Sequence, residues 1–262
     1  MELEYVLLDP TGNITALVQT PAPPERQPEL ALALMAAEPS AEQVGFLAPG
    51  GAEAEIALRM AGGEFCGNAT MCAAVLRCAA MAPDGGTVRV CASGMPEPVP
   101  VEALPLADGA WRCRELLRHR PSLETAALRL GSETLRAPLL RFDAIAHLIL
   151  PWDTDRAAVE RAVPDWCGGL GAEALGCMLL DEAAGRLTPL VWVPGARTLF
   201  WERSCASGSA AVGAYLAEKA CGKVDVTLAQ PGGNLRVEAA PVGEIRLSGT
   251  VRTLKVGKIS TD

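Results

Sequence analysis

Two cysteines stand immediately before apolar, helix-compatible segments, and they are the residues of this chain best suited to proton transfer. Cys66 precedes the segment 67–82 and Cys205 precedes the segment 206–221. The start of a helix offers unpaired backbone N–H groups and the positive end of the macrodipole, which together favour an anion. A thiol there can have its pKa lowered to about 3.5–7.5. The pair could therefore remove a proton with one thiolate and return one with the other thiol.

The elements that must hold these cysteines can be read from the apolar pattern. The segments 68–82 and 207–221 are apolar on nearly every face, which predicts two buried helices. Stop signals follow each of them, Pro83 to Gly86 after the first and Gly222 after the second. The small residues after each cysteine, Gly67-Asn68 and Ala206-Ser207-Gly208, would let a carboxylate approach the helix amides closely.

Period-two alternation predicts short strands around each helix. The predicted strands are 2–8, 14–19, 55–60 and 87–91 in the first half, and 141–150, 175–181, 187–193, 197–201, 224–228, 235–239, 244–247 and 250–256 in the second. Further helices are predicted at 29–37 and at 154–163, the latter ended by Pro164. The predicted fold class is α+β, with two pseudo-symmetric barrel-like halves and a site in the cleft between them.

At these cysteines the sequence resembles the cofactor-independent amino-acid racemases and epimerases typified by diaminopimelate epimerase. Cys66-Gly67-Asn68 matches the first family signature, and Glu202-Arg203 followed by Cys205 and small residues matches the second. An early Gly12-Asn13, a Pro231-Gly232-Gly233 and a closing Ser248-Gly249 extend the match over almost the whole chain. The resemblance implies that the last strand returns to the first half. The N-terminal half, which carries Cys66, would then comprise residues 1–115 plus about 250–262. The C-terminal half, which carries Cys205, would comprise residues 116–249.

The resemblance also implies the roles of the site residues. Cys66 and Cys205 would be the catalytic acid and base, with no cofactor and no metal. The residues expected to hold the substrate are Asn13, Gly67, Asn68, Glu202, Arg203, Ala206 and Ser207.

Departures from the epimerase pattern bear on the substrate. Ile145-Ala146-His147 stands where the epimerase has Asn-Pro-His, and Ala174 stands where it has another substrate-binding Asn. Loss of both asparagines argues against diaminopimelate. The compact loops look like those of the histidine racemases that supply D-histidine to opine-type metallophores, so histidine is the expected substrate. Diaminopimelate epimerase is the alternative enzyme, and a thiol redox protein or a non-catalytic amino-acid-binding module are alternatives of other classes.

The remaining candidate groups receive structural interpretations. The other seven cysteines are read as small buried apolar residues, and His147 as a core histidine with its hydrogen bonds satisfied. Glu64 could either support Cys66 or have no part in the site. The spacing of Cys66, Cys72 and Cys78 matches no zinc pattern.

Composition excludes several function classes. A formal charge of −8 without a basic cluster argues against nucleic acid as a partner. No apolar run reaches the roughly 18 residues of a membrane span. Nine cysteines, an odd number, together with no signal peptide at the start, predict a reducing cytoplasm. The expected partner is a small-molecule amino-acid substrate, and the sequence is compatible with a homodimer.

Overall fold

The computed structural model describes residues 1–261, which form a mixed α+β fold of sixteen strands and four α-helices. In chain order the strands are β1 (Glu2–Pro10), β2 (Thr15–Val18), β3 (Gln43–Pro49), β4 (Ile56–Met60), β5 (Gly86–Ala92), β6 (Val99–Pro105), β7 (Trp111–Leu117), β8 (Ser122–Leu130), β9 (Glu133–Arg141), β10 (Ala146–Pro151), β11 (Leu175–Asp181), β12 (Arg186–Val193), β13 (Thr198–Trp201), β14 (Val224–Gln230), β15 (Gly233–Ala239) and β16 (Ile245–Ser260). The helices are α1 (Gln27–Ala37), α2 (Gly67–Met81), α3 (Arg156–Gly169) and α4 (Ala206–Ala220), and a short 3₁₀ helix, Pro24–Arg26, precedes α1.

Eight strands close into a barrel around α2. They are hydrogen-bonded in the order β1-β2-β3-β4-β5-β6-β7-β16, and β16 also pairs with β1. Closure leaves this barrel without a free edge, and its interior must be filled by side chains. The helix α2 fills it and is buried along ten of its residues, which confirms the helix expected from its apolar faces.

The strand β16 joins the barrel to a second sheet. Its first residues pair with β7 on one side and β15 on the other, and nine of its residues from Val251 to Ser260 pair with β1. The second sheet then runs β16-β15-β14-β12-β11-β10-β9-β8, with β13 alongside β12. The helix α4 packs against β9, β10, β11 and β14 to β16. One hydrophobic core includes residues of both α2 and α4, and a second cluster lies under α3.

Two predictions of strand boundaries were wrong, each for a tertiary reason. The strand predicted at 141–150 is interrupted, because β9 ends at Arg141 and a turn closed by Phe142 N–H to Ile145 C=O leads into β10. The strands predicted at 244–247 and 250–256 are one strand, β16. Gly249 between them serves a close approach rather than a turn, since a Cβ there would lie 2.7 Å from Leu235 Cδ2.

Proline also misled the prediction of α3. The helix continues through Pro164 to Gly169, although a proline inside a helix costs about 3 kcal/mol. Trp166 and Cys167 beyond it are buried in the cluster under α3, and that burial offsets the cost.

The left-handed residue that ends α4 is Cys221, with φ 48°, rather than Gly222. No helix within residues 1–261 is long and apolar enough to cross a membrane.

Candidate active site

The N-terminal ends of α2 and α4 meet, and each is preceded by one of the two signature cysteines. Cys66 caps α2 with φ −133° and ψ 106°, and Cys205 precedes α4 with nearly the same conformation, φ −132° and ψ 111°. The side-chain amide of Asn68 donates a hydrogen bond of 3.0 Å to Ser204 C=O and so ties the two helix starts together. Because both macrodipoles point their positive ends at one place, an anion is favoured there.

Glycine is required at the first position of α2. A Cβ on Gly67 would lie 2.7 Å from Glu115 Oε2 and 2.9 Å from Ala206 Cβ, closer than atoms that are not bonded can come. Only a residue without a side chain lets the two helix starts approach this closely.

A small cavity of about 30 Å³ lies between the two cysteines. Its lining residues are Glu42, Gln43, Glu64, Phe65, Cys66, Asn68, Ile145, Val191, Val193, Thr198, Phe200, Glu202, Cys205, Ala206 and Ser207. That volume holds one or two waters. An amino acid is several times larger, so the walls must move apart for it to enter.

A chain of hydrogen bonds orients the Cys66 thiol. Cys66 Sγ donates to Gln43 Oε1 at 3.0 Å and accepts from the backbone N–H of Ala69 at 3.4 Å. The Gln43 side-chain amide in turn donates to Thr15 Oγ1 at 2.8 Å and to Asn13 Oδ1. With its amide nitrogen held in this way, Gln43 can only present its oxygen to the thiol. Gln43 therefore fixes the rotamer of Cys66.

A different network surrounds Cys205. Its Sγ lies 3.7 Å from Ser207 Oγ, and Ser207 Oγ lies 3.1 Å from His147 Nε2. His147 Nδ1 is buried and has no hydrogen-bond partner among residues 1–261. The expectation of a fully satisfied core histidine is therefore wrong. Burial lowers the pKa of His147 to about 3, so its imidazole is neutral near pH 7.

Burial dominates the electrostatics of both thiols. Desolvation raises the pKa of Cys66 and of Cys205 well above the ordinary value, and the negative charge of Glu202 raises both further. The backbone N–H groups of Ala69 and Gly208 act in the opposite direction but less strongly. The expectation that the helix starts alone would lower the thiol pKa values was therefore wrong, because it left out desolvation.

Three carboxyl groups line the cavity and each has a raised pKa. Burial raises the pKa of Glu202 to about 8, helped by the charge of Glu42, and burial raises the pKa of Glu64 to about 7. Glu42 has a smaller upward shift with the same main cause. Its Oε2 accepts from the Asn13 side-chain amide at 2.8 Å and from the Arg203 backbone N–H at 3.1 Å.

Six of the nine sequence-predicted site residues line the cavity, and the other three lie off its wall. The residues found at the wall are Cys66, Asn68, Glu202, Cys205, Ala206 and Ser207, with Gly67 directly behind. Asn13 is fully buried behind Gln43, on a turn that Gly12 brings against Gly232. Arg203 is exposed; its backbone N–H donates to Glu42, its backbone C=O accepts from Gly232 N–H, and its charge lowers the pKa of Glu42 slightly against the effect of burial.

Sequence reasoning missed Glu42, Gln43 and the apolar wall of Val191, Val193 and Phe200. None of these lies in a signature around the cysteines, and their strand pattern resembles that of other half-buried strands. The adjacent polar pair Glu42-Gln43, at the junction between a loop and β3, was the available signal, because loops held by a rigid scaffold often carry binding residues.

The described side chains at this site include neither a cluster of metal ligands nor a lysine that could form a Schiff base with a cofactor. No group of three or more His, Cys, Asp or Glu residues in the described part of the chain could hold a metal ion. The lysines of the chain are Lys219, Lys223, Lys255 and Lys258, and none of them lines the cavity. A larger groove of about 1100 Å³, lined mainly by residues of β3, β4 and the segment before α1, includes neither signature cysteine.

Comparison with solved structures assigns the fold. The chain is similar to a protein described as a predicted epimerase from Pseudomonas aeruginosa, with a TM-score of 0.73 and 17% identity over 99% of this chain and all of that one. It is also similar to a hydroxyproline epimerase from Agrobacterium vitis, with a TM-score of 0.70 and 12% identity over 98% of this chain and 91% of that one. At such identities the likeness concerns the fold alone.

Sequence comparison is more specific. The chain is 27% identical over 272 aligned positions to a histidine racemase of Staphylococcus aureus, covering 98% of this chain and 97% of that protein. It is 28% identical over 267 positions to a histidine racemase of Fusobacterium nucleatum, covering 98% and 97%. The family model described as the histidine racemase CntK N-terminal domain matches residues 2–259. A match over nearly its whole length places this chain in the histidine racemase family.

Proposed function

We propose that this isomerase interconverts L- and D-histidine with Cys66 and Cys205 as the two acid–base groups and without a cofactor. The observation that carries the proposal is the meeting of two cysteine-led helix starts at one cavity. Racemisation needs a base on one face of the α-carbon and an acid on the other. Two thiols on opposite walls meet that need.

The proton balance is simple. One cysteine, as thiolate, takes the α-proton and becomes a thiol, and the other gives its proton to the opposite face and becomes a thiolate. The electron pair left on the α-carbon spreads into the carboxylate. Backbone N–H groups at the starts of α2 and α4, around Gly67, Asn68, Ala206 and Ser207, stabilise that developing charge.

The ammonium group of the bound substrate would also lower the pKa values of the two thiols. A substrate ammonium beside Glu202 would favour the ionised form of that carboxyl, whose pKa is otherwise raised to about 8, and the ionised forms of both thiols. A thiolate then forms when the amino acid is bound rather than in the empty enzyme. Asn13 contributes through Gln43, and Arg203 through its backbone contact with Glu42.

The apolar wall supports histidine over diaminopimelate. Ile145 lines the cavity together with Val191, Val193 and Phe200. A distal ammonium and carboxylate placed against that wall would lose hydration without regaining hydrogen bonds, at a cost of several kcal/mol. Ala174, also expected near the distal end, is fully buried and is not part of the wall.

The test is α-proton exchange. Purified protein incubated with L-histidine or D-histidine in D₂O should incorporate deuterium at the α-carbon and form the other enantiomer, while meso-diaminopimelate should turn over poorly. Cys66→Ser and Cys205→Ser should each abolish racemisation, because a hydroxyl is too weak an acid to replace a thiol. Cys91→Ser, at an exposed thiol, is the matched control. Racemisation retained by either signature variant would refute the two-thiol mechanism.

Cofactor independence has its own test. Exhaustive dialysis against a chelator, and treatment with hydroxylamine to remove an aldehyde cofactor, should leave the racemisation rate unchanged. Activity that was lost in either treatment and then restored by a metal ion or by pyridoxal phosphate would contradict cofactor independence.

We further propose that residues 1–115 with about 250–262 and residues 116–249 form two pseudo-symmetric halves. Two observations support this division. A cysteine occupies the N-cap position of both α2 and α4 with nearly the same backbone conformation, and β16 pairs with β1. Asp262 lies outside the described residues.

A cytoplasmic location is supported by nine free cysteines within residues 1–261. A homodimer and a role of D-histidine in metallophore biosynthesis stay predictions.

A further inference from the structure

Glu64 presents a buried carboxyl group, one oxygen of which has no hydrogen-bond partner within residues 1–261. Only 8% of Glu64 is exposed, it lines the cavity between the cysteines, and its Oε2 has no hydrogen-bond partner among residues 1–261. Leaving a buried acceptor unpaired destabilises the folded protein. An unpaired acceptor on the wall of a binding cavity therefore points to a partner that arrives with the ligand.

The position of this carboxyl within the cavity is set by β4 and by the loop before α2. A Cβ on Gly62 would lie 2.6 Å from Glu64 Oε2 and 2.4 Å from Val193 Cγ1, so the carboxyl lies beside the apolar wall. A second void, of about 20 Å³, shares Gln43, Glu64 and Thr198 with the active-site cavity. Glu64 therefore separates two spaces that a moving wall could join.

The other two carboxyls of the cavity differ from Glu64. Glu42 accepts hydrogen bonds from Asn13 and Arg203, and Glu202 interacts with the Cys205 thiol. Among these three groups, Glu64 is the one with a completely buried oxygen that lacks a hydrogen-bond partner within residues 1–261, and that oxygen lies beside Val193. The ligand group that fits has flat apolar faces and an N–H donor at its edge.

We propose that Glu64 is the specificity-determining residue for the substrate side chain and accepts a hydrogen bond from its imidazole N–H. This inference rests on the proposed function. A neutral imidazole carries one N–H and an imidazolium carries two, and the ring faces are apolar. Val193 contacts the ring face while Glu64 satisfies the donor.

The charges of the two groups are compatible. Burial raises the pKa of Glu64 to about 7, while the Arg59 charge and nearby backbone N–H groups oppose that shift. Imidazole has an ordinary pKa of about 6.5. Near pH 7 the pair can share one proton as carboxylate with imidazolium or as carboxyl with imidazole, and both forms keep a hydrogen bond. A purely aliphatic side chain would leave the carboxyl unpaired.

The test pairs a variant with a modified substrate. Wild type, Glu64→Leu and Glu64→Gln are assayed with histidine and with histidine methylated at either ring nitrogen, and Glu53→Gln at an exposed position is the control. In the wild type, methylation of one ring nitrogen should lower kcat/KM roughly 10- to 100-fold. Glu64→Leu should lower kcat/KM for histidine by a similar factor, mainly through KM, and should remove the discrimination between the two methylhistidines.

Unfolding supplies a readout independent of activity. Because Glu64→Leu removes an unpaired buried carboxyl, its thermal midpoint should equal or exceed that of the wild type. If the leucine variant fails to fold, the near-isosteric Glu64→Gln decides, with a smaller rise in KM expected because its amide oxygen can still accept the N–H.

Two outcomes would overturn the assignment. One is an unchanged KM with the discrimination between methylhistidines retained. The other is an equal fall in kcat for every substrate at constant KM, which would place Glu64 in support of Cys66 instead. Failure of the proposed function is distinct, since the wild type would then not exchange the α-proton of histidine at all.

Discussion

Glu115 carries a buried carboxyl whose ionisation should control stability at alkaline pH. It is completely buried beneath the first turn of α2, and neither of its oxygens has a hydrogen-bond partner within residues 1–261. Burial alone raises its pKa to about 8, from an ordinary value of 4.5. The folded protein therefore holds a proton that the unfolded chain releases.

The sign and size of the effect follow from that difference. Stability from this group is fully present below the unfolded pKa near 4.5 and is gone once the pH passes the folded pKa near 8. Between these values the unfolded chain binds fewer protons, so the free energy of unfolding falls by about 1.4 kcal/mol per pH unit. From pH 5 to pH 8 the loss is about 3–4 kcal/mol. Glu115→Gln keeps the shape of the neutral acid and removes the titration.

The assay is thermal or urea unfolding of both proteins at pH 5 and pH 8. The stability of Glu115→Gln relative to wild type should rise by about 3–4 kcal/mol between the two pH values, or roughly 6–15 °C in Tm for a chain of this size. Glu64 and Glu202 titrate in both proteins, so their contributions cancel. Glu53→Gln, at an exposed position, should follow the wild type. Parallel pH dependence of Glu115→Gln and wild type would refute the reasoning.

Two further substitutions probe the helix starts. Gly67→Ala puts a Cβ within 2.9 Å of both Glu115 and Ala206, so the starts of α2 and α4 must move apart. Because this displaces the two thiols from each other, kcat should fall on the order of 100-fold. A kcat within twofold of the wild-type value would contradict this prediction. Ser207→Ala takes the hydrogen-bond partner from His147 Nε2 and should lower the free energy of unfolding by about 1–3 kcal/mol, measured by urea unfolding at pH 7. An unchanged unfolding midpoint would show that water or another group replaces the hydroxyl.

The sequence by itself determined the local features of the site. Each signature cysteine precedes small residues and then an apolar segment, and the structure confirms both as the residues that cap α2 and α4. A helix start depends on residues within a few positions of it, so it can be read from a short stretch of chain. Most strands were found for the same reason, because side chains alternate along a strand wherever it lies.

The tertiary structure alone decided what surrounds the thiols. Gln43 orients Cys66 from a strand 23 positions away, and Glu202 acts on Cys66 from the other side of the cavity. The raised thiol pKa values come chiefly from burial, which no local pattern reports. Gly249 lies inside β16 because Leu235 packs against it, although its sequence suggested a break. Contact, desolvation and close approach join residues distant in the chain, so these features are fixed only when the fold brings those residues together.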